Sequence, residues 1–106
     1  MALMKVGSVS GVPVGGATRV TVGDREIAIV NLGEDGFRAI DAVCSHARYY
    51  LDEGTVDVDD RTIECWKHGS TFDLETGKPR TLPATVPVQV FPVKIEGDDV
   101  MIEVDG

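Results

Sequence analysis

Turn signals cut this chain into short β-branched runs, and that punctuation leaves little room for anything except antiparallel sheet. ATRVTV (17–22) and REIAIVNL (25–32) flank Gly23-Asp24, a two-residue hairpin signal. GEDG (33–36) is a second turn and leads into FRAIDAV (37–43). GTVDV and RTIEC flank Asp59-Asp60, and VPVQVFPVKIE (86–96) and DVMIEV (99–104) flank Gly97-Asp98. Strands this short at this spacing predict an all-β antiparallel sandwich or barrel. No helix of ordinary length is expected. Residues 44–54 and 76–87 read as irregular, the second because Pro79, Pro83 and Pro87 deny it ladder donors. Phe72, Val88, Val90 and Phe91 read as core, and the acidic run 57–60 as a solvated turn.

The length of 106 residues suits one domain spanning 1–106, large enough for a real core. The chain has 18 acidic residues against 10 basic ones, a net charge of -8, which argues against nucleic acid as a partner. It suits instead a protein steered toward a basic surface. No apolar run has the length of a membrane span, and the start lacks a signal-peptide pattern. The expectation is a monomer in the cytoplasm, where thiols stay reduced.

Against that background the chain's only two cysteines and only two histidines fall into two matched clusters. VCSHARYY (43–50) holds Cys44 and His46; ECWKHGSTFD (64–73) holds Cys65 and His68. Each pair follows a predicted strand, so two loops emerging side by side from neighbouring strands would each offer one thiolate and one imidazole. A Cys44–Cys65 disulfide would leave the histidines unexplained. A mixed two-Cys, two-His set suits zinc or an iron–sulfur centre. Structural zinc more often takes cysteines as one pair and histidines as another. A Rieske centre needs two thiolates on one iron and two imidazoles on the other.

VCSHARYYLDEG, with ECWKHGSTFDLETGKPRTLPATVPVQVFPVKIEGDDVMIEV, resembles bacterial Rieske-type ferredoxins over about residues 37–104. Such proteins serve multicomponent ring-hydroxylating dioxygenases, or are encoded with iron–sulfur assembly proteins. The resemblance implies a Rieske-type sandwich or barrel whose cluster-binding part covers about 43–83. It implies one [2Fe-2S] cluster, with Cys44 and Cys65 on the inner iron and His46 and His68 on the outer one. The residues around it would be Ala47, Arg48, Trp66, Ser70 and Pro83, with Pro79–Pro83 covering the cluster. The chain departs from the pattern at Ala47-Arg48, where relatives often carry Gly. The implied partners are a flavin-containing reductase as donor and a terminal oxygenase as acceptor.

An Fe2S2 core carries +2, which two thiolates cancel, so the holo-protein stays near the -8 of the chain and gains one negative charge on reduction. No histidine is left over for a general base or a mononuclear iron site, and no Gly-rich phosphate loop is present. The expected role is therefore electron carriage rather than catalysis; a sensing or assembly-linked ferredoxin and a structural zinc module are the alternatives. Respiratory Rieske proteins resemble the chain at Ser70 but have Tyr where Phe72 stands and an added disulfide. That predicts a midpoint near the low end of the Rieske range, about -150 mV. Trp66 reads either as a shield over the site or, with Lys67, Arg48, Tyr49 and Tyr50, as a docking surface. One of the two tyrosines is expected to pack on the sheet.

Overall fold

The computed structural model describes residues 2–44, 49–67 and 69–104. Ten strands form three antiparallel sheets. β2 (Ala17–Val22), β3 (Arg25–Asn31), β4 (Phe37–Asp41) and β8 (Val90–Phe91) make the first, in that order. β1 (Ala2–Ser8), β10 (Asp99–Val104) and β9 (Val93–Glu96) make the second. β5 (Thr55–Asp57), β6 (Thr62–Glu64) and β7 (Thr71–Asp73) make the third. Among the described residues the only helical elements are 3-10 turns, at Val9–Gly11, Gly33–Asp35 and Leu51–Glu53.

The four-stranded sheet is the middle layer, and β3 shows why. A strand points alternate side chains to opposite faces. Ile27 and Ile29 enter one core with Ala39, Phe91, Val100 and Ile102. Ala28 and Val30 enter the other with Ile40, Leu51, Ile63, Phe72 and Leu74. Both faces of β3 are therefore dry, which is why its sequence reads as a nearly continuous apolar run rather than an alternating one. The first core joins the middle sheet to β1, β10 and β9. The second joins it to the β5–β6–β7 sheet, and it contains both cysteines.

The hairpins at Gly23-Asp24 and Gly97-Asp98 stand as the turn signals indicate, with Val22 paired to Arg25 and Glu96 to Asp99. The predicted 86–96 run is not one strand: Pro92, which has no N–H to give the ladder, splits it into β8 in the middle sheet and β9 in the outer one. The strand before Cys44 ends at Asp41 rather than Val43, with Val43 continuing only as an isolated bridge to Tyr50. Two strands carried no sequence expectation. β1 lies in the opening segment, whose MALMKVGS carries no hairpin signal of its own. β7 sits inside the ECWKHGSTFD motif, where the spacing of Cys and His dominates the reading. Phe72 on β7 is fully buried, Val88 and Phe91 are nearly so, and Val90 is only partly buried.

Candidate metal centre

Each cysteine opens a loop whose base is closed by backbone hydrogen bonds. In the first, the Cys44 N–H donates to the Tyr49 carbonyl at 2.9 Å and the Leu51 N–H to the Ala42 carbonyl at 2.6 Å, on either side of the Val43–Tyr50 bridge. In the second, the Cys65 N–H donates to the Ser70 carbonyl at 2.7 Å, and the Gly69 N–H returns to the Cys65 carbonyl at 2.9 Å. Gly69 has φ of +75°, a left-handed conformation that glycine adopts without penalty and that turns the chain back into β7.

The strands that feed these loops are not neighbours in one sheet, so the condition under which the loops would emerge side by side from one sheet is not met. β4 belongs to the middle sheet and β6 to the three-stranded one. The loops meet across the sandwich instead. The rings of Tyr49 and Trp66 touch edge to face, centroids 5.3 Å apart. Beneath them the two segments are forced close at Gly54, where an added Cβ would run into the carbonyl of Glu64, the residue before Cys65.

Cys44 and Cys65 are 2% and 0% exposed, and neither is in a disulfide. Leu51, Ile63, Phe72, Leu74 and Ala84 complete the same apolar cluster. Two buried soft sulfur donors at adjoining loop bases fit an iron–sulfur group, whose potential depends on burial and on hydrogen bonds to sulfur. Ser70 supplies a candidate donor. It is fully buried, and its Oγ accepts the Ala84 N–H at 3.1 Å, which leaves its own hydrogen to donate elsewhere.

The third loop leans on the second through hydroxyls and backbone. The Thr71 N–H donates to Thr81 Oγ at 2.8 Å, Thr81 Oγ donates to the Gly69 carbonyl at 3.3 Å, and the Arg80 N–H donates to the Thr71 carbonyl at 2.7 Å. Pro83, in this loop, is exposed and follows a cis peptide bond. Trp66 is half exposed, and the Lys67 ammonium stands 5.8 Å from its ring and 5.9 Å from that of Tyr49. Both tyrosines are half-buried against the second core, and Tyr50 also lies under the guanidinium of Arg19 at 3.5 Å. His46, Ala47, Arg48 and His68 lie outside the described residues.

Two carboxylates lie behind the loops. Burial of Asp52 pushes its pKa above the usual carboxylate value, outweighing the attraction of Arg19. Burial would raise Asp73 as well, but Arg80 and the N–H groups of Glu75 and Thr76 overcome it and hold that carboxyl low. Neither residue, nor Arg19, was singled out in the sequence. The signal was there only in the sense that a charged residue in a β-rich run needs a partner.

Residues 2–92 match the family model of the Rieske [2Fe-2S] domain. The chain is 40% identical over 106 residues to the ferredoxin component of biphenyl 2,3-dioxygenase from Rhodococcus jostii, covering 100% of this chain and 96% of that protein. Its structure resembles the ferredoxin of carbazole 1,9a-dioxygenase from Nocardioides aromaticivorans, with TM-score 0.90, 31% identity, and coverage of 96% of this chain and 97% of that one. It also resembles a chain in a complex of reduced oxygenase and oxidised ferredoxin of a carbazole 1,9a-dioxygenase, with TM-score 0.86, 37% identity, and coverage of 94% and 100%. A family match over most of the chain and a full-length relative agree with the two buried cysteines: this chain belongs to the Rieske [2Fe-2S] domain family.

Proposed function

We propose that the chain is the one-electron carrier of an aromatic-ring dioxygenase system, with Cys44 and Cys65 holding the inner iron of a Rieske cluster and His46 and His68 the outer one. The observation that carries this is the pair of buried cysteines, each opening a closed loop and each followed by a histidine two or three positions on. Bound there, the cluster supplies a reversible one-electron couple. The chain's own residues keep water from the sulfurs, fix the loop bases and present the Tyr49–Trp66–Lys67 tip outward. The ferredoxin–oxygenase complex of the carbazole system supports a terminal oxygenase as acceptor. A flavin-containing reductase is the proposed donor, and the cytoplasm the proposed compartment. No helix among the described residues is long and apolar enough to cross a membrane.

The test is spectroscopic. The purified protein should absorb in the visible and give a Rieske-type electron spin resonance signal when reduced; His68→Ala should abolish that signal. A colourless protein holding zinc, or an unchanged signal in His68→Ala, sinks the assignment.

A further inference from the structure

The first loop has a grip that the family motif does not contain. Arg19, on β2 in the middle sheet, lays its guanidinium over the Tyr50 ring at 3.5 Å and places Nη1 3.9 Å from Asp52 Oδ1. Its Nε lies 3.7 Å from Glu26 on β3. Tyr50 closes the loop base through the Val43 bridge, one residue from Cys44, and Asp52 sits in the 3-10 turn that follows. Asp52 Oδ1 is buried and has no hydrogen-bond partner among the described residues. A buried carboxylate oxygen left this way is costly, and the ion pair at 3.9 Å is too long to be a hydrogen bond. The charges acting on it are Arg19 and Glu26 from the middle sheet and Glu53 from its own turn. Arg19 thus faces the carboxylates of Asp52 and Glu26, while its flat face fixes the aromatic ring that pins the loop.

We propose that Arg19 is a positioning residue for the cluster, acting through Tyr50 and Asp52 to hold the base of the loop that begins at Cys44 and to offset the Asp52 carboxylate. This rests on the reading that Cys44 and His46 are ligands. Stacking sets the loop's place; the charge sets the field. Removal of the cation leaves a more negative surrounding, which disfavours an added electron and lowers the midpoint.

The two roles separate in four variants of the holo-protein: R19M, R19K, D52N and R19M/D52N. The readouts are the midpoint at pH 7, the rate of cluster loss to a chelator, and the Asp52 carboxyl titration by carbon-13 NMR. R19M should lower the midpoint, raise the loss rate several-fold and move the Asp52 titration to higher pH. R19K keeps the charge without the planar face, so its midpoint should stay near that of the parent while its loss rate rises. Adding D52N to R19M should reverse most of the midpoint shift and leave the loss rate high. A parent-like midpoint, loss rate and Asp52 titration in R19M overturns the proposal. So does a raised loss rate with midpoint and titration unmoved, because Arg19 is then only a brace. Absence of a cluster from the parent protein overturns the ligand reading instead, and the Asp52 titration still judges the Arg19 contact. If R19M fails to fold, R19K and D52N decide by the same readouts.

Discussion

Both loops are closed at the base by backbone hydrogen bonds, but the loop that begins at Cys44 is further tied to the middle sheet by charged and aromatic side chains, whereas the loop that begins at Cys65 is further tied to the chain after it by hydroxyl groups. Beyond its backbone closure, the first adds Arg19 over Tyr50 and a long ion pair to Asp52. The second depends on Ser70 Oγ accepting the Ala84 N–H, on Thr81 and on the β6–β7 ladder. Ion pairs of long side chains weaken with salt and exposure. The buried, neutral Ser70–Ala84 hydrogen bond does not, and it is costly to break one-sidedly. The second loop should therefore be the rigid half of the site and the first the adjustable half.

The largest expected effect breaks both halves together. Gly54 follows the 3-10 turn of the first loop segment and backs onto the Glu64 carbonyl. A backbone oxygen cannot swing aside as a side-chain tip can. Overpacking costs about 1–3 kcal/mol, and this position belongs at or above the upper end. Gly54→Ala should lower the melting temperature by about 10 °C or more and deplete the cluster. Gly7→Ala, whose Cβ meets nothing within 4 Å, is the control and should shift it little. Equal melting temperatures for the two would show that the segments are not pressed together at Gly54.

Ser70→Ala tests the rigid half alone. It leaves the buried Ala84 N–H without its acceptor, at a cost of about 1–3 kcal/mol. It also removes the hydroxyl hydrogen proposed as a donor to the cluster, so the midpoint should fall. Urea denaturation and a redox titration of the same preparation measure the two effects. A stability loss with an unchanged midpoint would confine Ser70 to the Ala84 bond.

The sequence made one half of this comparison legible and hid the other. Ser70 lies within the motif, and Cys44, Cys65, His46 and His68 stand out by spacing alone. Most strands could be read because hairpin turns and β-branched runs are local signals. Arg19 and Asp52 are 33 positions apart in the chain, and nothing local marks them as partners. Their meeting follows from where β2 falls relative to the first loop, a product of topology. The placement of β6 outside the middle sheet was hidden for the same reason, since strand order is set by packing between distant runs rather than by any run itself.

The two carboxylates behind the loops should respond to pH in opposite directions. Asp73, held low, contributes stability that is present above the ordinary carboxylate pKa and lost as pH falls through its own lower value. Asp52, raised, binds its proton more tightly in the folded state, so its contribution declines as pH rises from the ordinary carboxylate value through its own. Asp73→Asn should reduce stability at pH 7 and flatten the acid limb of the stability curve. Asp52→Asn should remove the opposing slope. Urea midpoints measured from about pH 2 to 7 check both, and slopes of the same sign for the two variants would contradict the assignment.

The smallest structural effect and the most specific functional one belong to Trp66, where the two loops touch. The side chain is half exposed and meets Tyr49 edge to face, so Trp66→Ala should cost no more than about 1 kcal/mol of stability. Its backbone remains, and with it the Cys65–Ser70 closure, so spectrum and midpoint should hardly move. Electron transfer to the oxygenase is another matter, because a central aromatic at an interface commonly carries about 2 kcal/mol or more of the contact energy. The oxygenase concentration for half-maximal reoxidation should rise about tenfold or more. Salt separates this from steering. The net charge of -8 guides encounter at a distance, and that guidance fades once the Debye length falls to about 10 Å, near 0.1 M salt. The apolar contact does not fade, so the ratio of parent to variant rates should hold as salt rises while both rates fall. Stopped-flow reoxidation of each reduced protein by the oxygenase measures it. Rates identical at every salt concentration would make Trp66 a shield over the loops and place the docking surface elsewhere.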